Sequence, residues 1–152
     1  MRYLCILIFS LNLNANFLDA NWQVVKFIGE SHFLDPRDIT EKYQSFYKGE
    51  ASGTFYNCNY GGQVKTYNTY SYDEFFRNKE MELFIKYSEE LKFEKKDIYV
   101  HKVSCAKTRQ VIYPFVTQSG TKRAFYPFES GIFVLEYEKS HQEMLEDIRN
   151  SK

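Results

Sequence analysis

Residues 123–138 read RAFYPFESGIFVLEYE, and this stretch decides the fold that we expect. Two runs within it, Arg123–Phe128 and Gly131–Glu138, are rich in the aromatic and β-branched residues that favour strands. Glu129 and Ser130 stand between them and, with the following glycine, have the composition of a tight turn. A connection this short allows only antiparallel pairing, because parallel neighbours need a crossover of about a dozen residues or more. The stretch therefore predicts a hairpin in an antiparallel sheet.

Working outward from this hairpin, the same criteria predict five more strands. They are Trp22–Glu30, Ala51–Cys58, Gln63–Tyr70, Ile98–Cys105 and Gln110–Thr117. Gly61-Gly62 separates the second of these from the third, and adjacent glycines allow the positive φ angles of a tight reversal. We therefore expect Ala51–Cys58 and Gln63–Tyr70 to form a second hairpin.

Three helices are expected, near residues 36–48, 72–92 and 140–150. Asp35 is a typical N-cap and Pro36 a typical first helical residue for the first of them. Ser71 and Glu74 have the spacing of a capping box at the start of the second. Seven strands and three helices predict a mainly β domain with helices (α+β). Its antiparallel meander closes into a small barrel or, alternatively, stays an open sheet covered by the long helix.

The first fifteen residues have the pattern of a secretory signal peptide. Arg2 supplies a positive charge, Tyr3–Leu11 is almost wholly apolar, and a polar stretch ends in the small residue Ala15. We predict cleavage after Ala15, with Ala20 as the alternative site, and residues 16–152 forming a single secreted or periplasmic domain. The apolar run is shorter than the ~20 residues that span a bilayer, so no integral membrane segment is expected after cleavage.

Three cysteines occur in the chain, and Cys5 falls inside the predicted leader. Removal of the leader leaves Cys58 and Cys105, an even pair that predicts a disulfide in an oxidising compartment. The chain-entropy model gives such a bridge a stabilisation of about 4 kcal/mol. These two cysteines lack the paired spacing of a zinc site, so no metal site is expected.

Charge and aromatic content narrow the range of functions. The chain has 20 basic and 20 acidic residues, without the basic surplus that a general nucleic-acid binder needs. It has 13 Tyr and 14 Phe, and such side chains favour strands and also line apolar pockets. The strands then direct an aromatic set toward the interior, where it either fills an ordinary core or lines a ligand-binding cavity, and the cavity is the function that we predict. The set consists of Phe27, Phe55, Tyr67, Tyr99, Tyr113, Phe115, Phe125, Phe133 and Tyr137.

Ala20-Asn21-Trp22 in the first predicted strand, with the later meander and terminal helix, resembles the lipocalin or wider calycin superfamily. In that family a Gly-x-Trp motif opens the barrel and the Trp closes its floor against a late Arg. The resemblance implies that Trp22 and Arg123 have these barrel-closing roles in a small secreted bacterial β-barrel protein. It also implies that a small hydrophobic molecule binds inside the barrel without chemistry. Residues 53–59 (GTFYNCN) are locally similar to META-type periplasmic domains, which are also non-enzymatic.

The sequence contains no complete catalytic motif and no glycine-rich phosphate loop. We therefore expect no enzyme activity and no cofactor. The predicted function is a secreted carrier that binds a small hydrophobic ligand in an aromatic-lined β-cavity. The alternative is a secreted module that binds or inhibits a protein partner, with contacts through loop tyrosines such as Tyr56 or Tyr60.

Overall fold

A computed structural model of the protein describes residues 18–47, 49–59, 66–103, 114–139 and 141–151. The predicted signal peptide lies outside the described residues, and so does Cys105. The export and disulfide predictions therefore stay predictions.

The described residues form a mainly antiparallel β structure with a few helices, which confirms the predicted class. The strands are β1 (Asn21–Glu30), β2 (Tyr43–Tyr47), β3 (Glu50–Gly53), β4 (Cys58–Asn59), β5 (Thr66–Tyr70), β6 (Ile98–Lys102), β7 (Phe115–Gln118), β8 (Arg123–Phe128) and β9 (Ser130–Lys139). The helices are α1 (Tyr72–Arg77), α2 (Glu82–Lys86), α3 (Ser88–Leu91) and α4 (His141–Asn150), with 3₁₀ turns at Pro36–Asp38 and Lys79–Met81. The strand order in the sheet is β4-β3-β2-β1-β9-β8-β7-β6-β5.

The hairpin predicted from residues 123–138 is present as β8 and β9. Its register pairs Arg123 with Glu136 and Phe128 with Gly131. Glu129 lies at the turn with a φ of 52°, a left-handed conformation that is uncommon for residues other than glycine. Strand β9 then pairs along its length with β1, so this hairpin occupies the middle of the sheet.

The sheet curls into an open half-barrel. The rings of Phe46 on β2 and Phe115 on β7 have centroids 4.9 Å apart, although three strands lie between β2 and β7 in the sheet. In a flat sheet these strands would be about 19 Å apart, so the contact requires strong curvature. Strands β4 and β5 are the two edges of the sheet. The closed barrel is therefore wrong, and the open sheet is the form observed.

Curvature gives the sheet a concave inner face and an outer face, each with its own core. The inner cluster consists of Leu18, Ala20, Trp22, Val24, Phe46, Ala51, Tyr56, Val103, Phe115, Ala124, Tyr126, Phe133 and Leu135. The outer cluster consists of Phe75, Met81, Phe84, Leu91, Ile98, Val100, Val116, Phe125, Ile132 and Val134. Along β9 successive residues alternate between the two clusters, as the two-residue period of a strand requires.

Helical segments between β5 and β6 cover the outer face. The predicted capping box is confirmed, because the Ser71 side chain accepts from the Glu74 N–H while the Glu74 carboxylate accepts from the Ser71 N–H. A single helix over 72–92 is wrong. Asn78 has extended backbone angles and ends α1, and its side chain caps the next 3₁₀ turn. The cover is thus a chain of short helical pieces, and no helix among the described residues is long and apolar enough to cross a membrane.

The predicted helix at 36–48 is also wrong. Asp35 does cap a helical turn, since its carboxylate accepts from the Arg37 N–H at 3.0 Å, but that turn is a 3₁₀ turn of three residues. The chain then enters β2, where Phe46 is buried in the inner cluster. Pairing with β1 and the burial of this ring outweigh the helical spacing of the aromatic residues.

The hairpin predicted across Gly61-Gly62 is not formed by the strands on its two sides. Strand β4 pairs with β3, and β5 pairs with β6. The two segments therefore stand at opposite ends of the strand order. Residues 60–65, which contain the glycine pair, lie outside the described residues.

Candidate functional site

The predicted ligand-binding aromatics mostly lie on the inner face. Phe115 and Phe133 are completely buried in the inner cluster. Phe27, Phe55 and Tyr137 are half-buried and pack against the same cluster. The sequence pattern thus selected residues that the fold brings together.

These rings contact one another. Phe27 lies 4.6 Å from Phe133, and Phe55 lies 5.2 Å from Phe133, between ring centroids. Phe55 also stacks on Tyr126 at 4.2 Å, with 21° between the ring planes. Separations of this size are typical of packed aromatic pairs. The described rings therefore bury each other's faces and form a packed core along this part of the half-barrel.

Two further predicted residues, Tyr67 and Tyr99, lie on β5 and β6. Tyr99 on β6 is half-buried, with its ring centroid 6.5 Å from that of His101. The backbone of Tyr67 pairs with His101 in the β5–β6 ladder, and its side chain lies outside the described part of the structure. Tyr113 lies outside the described residues altogether.

The structure contradicts two sequence predictions, that Phe125 faces the cavity and that Arg123 closes the barrel. Phe125 belongs to the outer cluster and packs on Phe93, with centroids 4.5 Å apart. The Arg123 guanidinium lies 5.3 Å from the centre of the Phe125 ring. Trp22 is buried in the inner cluster, where its Nε1 donates to the carbonyl of Leu18 at 3.3 Å. The predicted barrel-closing pair therefore does not form, because its two members lie on opposite faces.

Gln44 organises the inner face, and the sequence analysis missed it. Its side chain is completely buried on β2, and its Oε1 accepts from the N–H groups of Phe55 and Tyr56 at 2.9 Å each. Its Nε2 lies 3.2 Å from the carbonyls of Ser45, Ser52 and Tyr56. One amide thus satisfies the backbone of the loop that brings Phe55 onto Tyr126. A glutamine in a strand has no sequence signal that distinguishes this role.

The structure also contradicts the prediction for Tyr56, which was to contact a protein partner from an exposed loop. It is 4% exposed and lies 5.6 Å from Phe46 between ring centroids. Burial raises the pKa of its hydroxyl well above the ordinary value near 10, because the phenolate would lose its hydration. Tyr60 lies outside the described residues.

A cleft of about 590 Å³ opens between the helical cover and the sheet, at the end of the molecule where β8 turns into β9. Its lining consists of Lys79, Glu80, Met81, Glu82, Leu83, Phe84, Lys86, Pro114, Pro127, Glu129 and Ser130. Met81 and Phe84 are buried, and Leu83 is half-buried. Pro114 directly precedes β7, and Pro127 lies near the end of the neighbouring strand β8. The cleft therefore has an apolar wall and a charged rim.

Glu129 connects this cleft with the loop after β1. Its Oε2 accepts from the N–H of His32 at 2.8 Å. Its Oε1 is buried and has no hydrogen-bond partner within the part of the chain that the structure describes. Nearby, the Tyr87 hydroxyl donates to the carbonyl of Ser130 at 3.0 Å and fastens the helical cover to the turn. The turn is thus held from two sides beside the cleft.

The remaining charged groups with shifted pKa values are exposed and local. Hydrogen bonds from Arg37 lower the pKa of Asp35 to about 2, and Asp147 raises the pKa of Lys139 across an exposed ion pair of 2.5 Å. Among the residues that the structure describes, no group of three or more His, Cys, Asp or Glu side chains could hold a metal ion.

No protein-family model, curated protein or solved structure matches this chain. The resemblances to lipocalins and to META-type domains therefore stay predictions, and the geometry has to support any functional proposal.

Proposed function

We propose that this protein is a non-catalytic carrier of a small hydrophobic ligand, and that the ligand binds in the cleft between the helical cover and the β8–β9 turn. The observation that supports this proposal is the cleft itself, with its volume of about 590 Å³ and its wall of Met81, Leu83, Phe84 and Pro127. Ligand pockets typically have ~300–1,000 Å³ and combine apolar walls with a few polar groups. The function keeps the class predicted from the sequence, and the site moves from the inner face to the outer one.

The physical driving force would be burial of apolar surface. Each square ångström of apolar area removed from water contributes about 25 cal/mol. The inner aromatic set offers less room for a guest, because its described rings already contact each other. A ligand in the outer cleft needs no displacement of these rings.

A substitution that fills the cleft tests the proposal. Leu83 lines the cleft, whereas Ile85 on the same helix is 40% exposed and is not part of the lining. We expect the neutral dye Nile red to bind the wild-type protein with a rise in fluorescence. Leu83→Trp should weaken that binding by about tenfold or more, because a loss of some 1.4 kcal/mol corresponds to a factor of ten.

Ile85→Trp is the matched control and should bind the dye like the wild type, with unchanged circular dichroism in both variants. A wild-type protein that neither binds the dye nor retains a small molecule in native mass spectrometry would refute the carrier proposal. Equal binding of the dye by both variants would show that it binds elsewhere and not in this cleft.

We also propose that the protein is exported and contains a Cys58–Cys105 disulfide. Cys58 packs against the inner cluster, and Val103, two residues before Cys105, is buried in the same cluster. This common neighbourhood supports the pairing. Intact mass after alkylation, with and without prior reduction, should show two additional alkylated thiols only after reduction. Two thiols that react without reduction in the exported protein would contradict the bridge.

A second candidate function, binding of a protein partner, is favoured by one observation. Phe33 is 90% exposed, on a loop held by the His32–Glu129 bond and by the Leu34 N–H on Ser31 Oγ at 3.3 Å. An exposed aromatic ring on a fastened loop suits a protein contact. A partner cross-linked by the wild type should be lost in Phe33→Ser and retained in Tyr43→Ser, which changes another exposed ring. Retention in Phe33→Ser would exclude this loop as the contact.

A further inference from the structure

One histidine is enclosed in the inner face of the half-barrel. His101 on β6 is 1% exposed, and its Nε2 lies 2.8 Å from the Oγ1 of Thr117 on β7, which is 2% exposed. Its register partner on β7, Phe115, and Val103, two residues further along β6, both belong to the inner cluster, so the ring faces inward. The contact between His101 and Thr117 therefore joins β6 to β7 inside the core.

The charge of a histidine changes under mild acid. An unperturbed imidazole has a pKa near 6.5, so a histidine that is exposed to water gains a proton between about pH 8 and about pH 5. Burial opposes this gain, because the charged ring loses its hydration. The neutral imidazole is therefore the form that suits the closed sheet.

The chain has no buried carboxylate that could balance a charge on His101. All 20 acidic residues lie within the described ranges, and every one except Glu129 is exposed. Glu129 is half-buried at the β8–β9 turn, where its carboxylate accepts from the N–H of His32. A protonated His101 in the closed sheet would thus be a buried charge without a buried anion.

The other titratable groups around His101 are neutral in the same pH range. Tyr99 lies beside it on β6, with ring centroids 6.5 Å apart, and Tyr67 is its register partner on β5. Lys102, the next residue on β6, is exposed. Phenols and thiols have ordinary pKa values near 10 and about 8.5, so they carry no charge in mild acid. The further side chains of these types that pack into the inner face, among the described residues, are Tyr56, Cys58, Tyr126 and Tyr137.

The strands around His101 lie at one side of the open sheet. The order β8-β7-β6-β5 ends at β5, which is an edge strand. Among the described residues, the β7–β8 register pairs Val116 with Phe125 and Thr117 with Ala124, whereas β9 pairs with the whole of β8 and along its length with β1. Local opening is easiest where the fewest hydrogen bonds and buried contacts have to break. Opening at the β5–β7 side is therefore favoured over opening in the middle of the sheet.

We propose that His101 makes the β5–β7 side of the sheet acid-sensitive: the neutral ring keeps β6 on β7, and protonation of the ring opens this side. The open form binds the proton in water, so the closed form loses stability as the pH falls below the ordinary histidine pKa. Between about pH 8 and about pH 5 the ratio of open to closed molecules should rise about 30-fold, because each pH unit below about 6.5 contributes up to tenfold. This inference goes beyond the proposed carrier function and does not depend on it.

Amide hydrogen exchange of the wild-type protein tests the proposal. Protection factors correct for the pH dependence of the chemical exchange step, so they report the opening equilibrium. We expect those of the β6 and β7 amides to fall about 30-fold between about pH 8 and about pH 5. The amides of β1 and β9, in the middle of the sheet, are the internal reference and should change by less than about threefold.

His101→Gln keeps an N–H donor that can reach the Thr117 hydroxyl and removes the titration. We expect the protection of its β6 and β7 amides to change by less than about threefold over the same range. His32→Gln, at an exposed loop histidine, is the matched control and should repeat the fall seen in the wild type.

A measurement without a variant covers the case in which His101→Gln does not fold. The ring nitrogens of His101 in the closed wild-type protein should keep the NMR shifts of a neutral imidazole throughout the range. A charged His101 ring in the closed sheet would overturn the proposal.

Three exchange results would also refute it. Constant protection of β6 and β7 in the wild type would show that acid does not open this side. An equal fall in His101→Gln would assign the effect to another group. A fall of the same size in β1 and β9 would mean that protonation requires unfolding of the whole sheet.

Discussion

Among the described residues, the two faces of the sheet are built from similar apolar side chains and differ in how these side chains pack. On the inner face the rings of Phe46, Phe115 and Phe133 meet side chains from strands that curvature brings together. On the outer face the cover consists of short helical pieces, and a cleft of about 590 Å³ remains where they meet the β8–β9 turn. Curvature brings rings from distant strands of one open sheet into contact, whereas short helical pieces leave space where they meet the β8–β9 turn. Composition therefore says little about where a protein has room for a ligand.

The largest expected effect is on the free energy of unfolding, when one buried ring is removed from each face of the sheet. Phe115 is completely buried on the inner face, and Phe84 is 2% exposed but lines the outer cleft. Phe115→Ala should lower the free energy of unfolding by about 4 kcal/mol, because it leaves an enclosed cavity. Phe84→Ala should cost about 2–3 kcal/mol, since water can enter the enlarged cleft.

Urea unfolding of both variants measures this difference. Equal losses would mean that the cleft is closed in solution, and the contrast between the faces would disappear. Native mass spectrometry of Phe84→Ala should in addition show whether a ligand is still retained.

Substitution of Gln44 is expected to give the next largest loss of stability, and it tests what holds the inner face together. Gln44→Ala leaves the N–H groups of Phe55 and Tyr56 without their acceptor. We expect a loss of about 2–3 kcal/mol in the free energy of unfolding. Gln23→Ala, at a half-buried glutamine on β1, should change stability by about 0.5 kcal/mol or less. Similar losses in the two variants would contradict a special role for Gln44.

The smallest expected effect is a dependence of the free energy of unfolding on pH, caused by Tyr56 on the inner face. Burial raises the pKa of Tyr56 above its ordinary value near 10, so the folded state retains a proton that the unfolded state releases. This stabilisation is complete below pH 10 and is lost as the pH rises further, by about 1.4 kcal/mol per pH unit at most. Unfolding experiments between about pH 9 and about pH 11 bracket the ordinary tyrosine pKa. They should show a shallower decline of stability with pH for Tyr56→Phe than for the wild type.

Tyr43→Phe, at a 39% exposed ring, is the control and should follow the wild type. An identical slope in Tyr56→Phe would show that other groups account for the alkaline loss.

Short-range patterns could be predicted well because their causes are local. The β8–β9 hairpin follows from two β-favouring runs and a short turn, and the Ser71–Glu74 capping box follows from a spacing of three residues. The helix predicted for 36–48 failed because the same apolar spacing also suited a strand once β1 was available as a partner. Helical periodicity over one short segment does not outweigh a strand partner.

Strict alternation along a strand does not give the face of each residue where the backbone departs from regular pairing. A register shift between Val24 and Lys26 interrupts the β1–β9 ladder. Trp22, Val24 and Phe27 consequently all join or pack against the inner cluster, while Val25 packs against the outer one. Strict alternation would have placed Phe27 on the face opposite Trp22. A β-bulge moves every later side chain to the other face, and no local residue pattern announces it.

The amino-acid sequence by itself determined the class of the fold, the central hairpin, the helix cap and the aromatic character of the core, because each depends on neighbours within a few residues. Only the tertiary structure decided that the sheet stays open, that Phe125 and Arg123 face outward, and that the cleft lies beside Glu129. Those outcomes depend on which distant strands pair and how strongly the sheet curls. Such long-range contacts are chosen by the total burial and hydrogen bonding of the whole chain, which no short stretch of it contains.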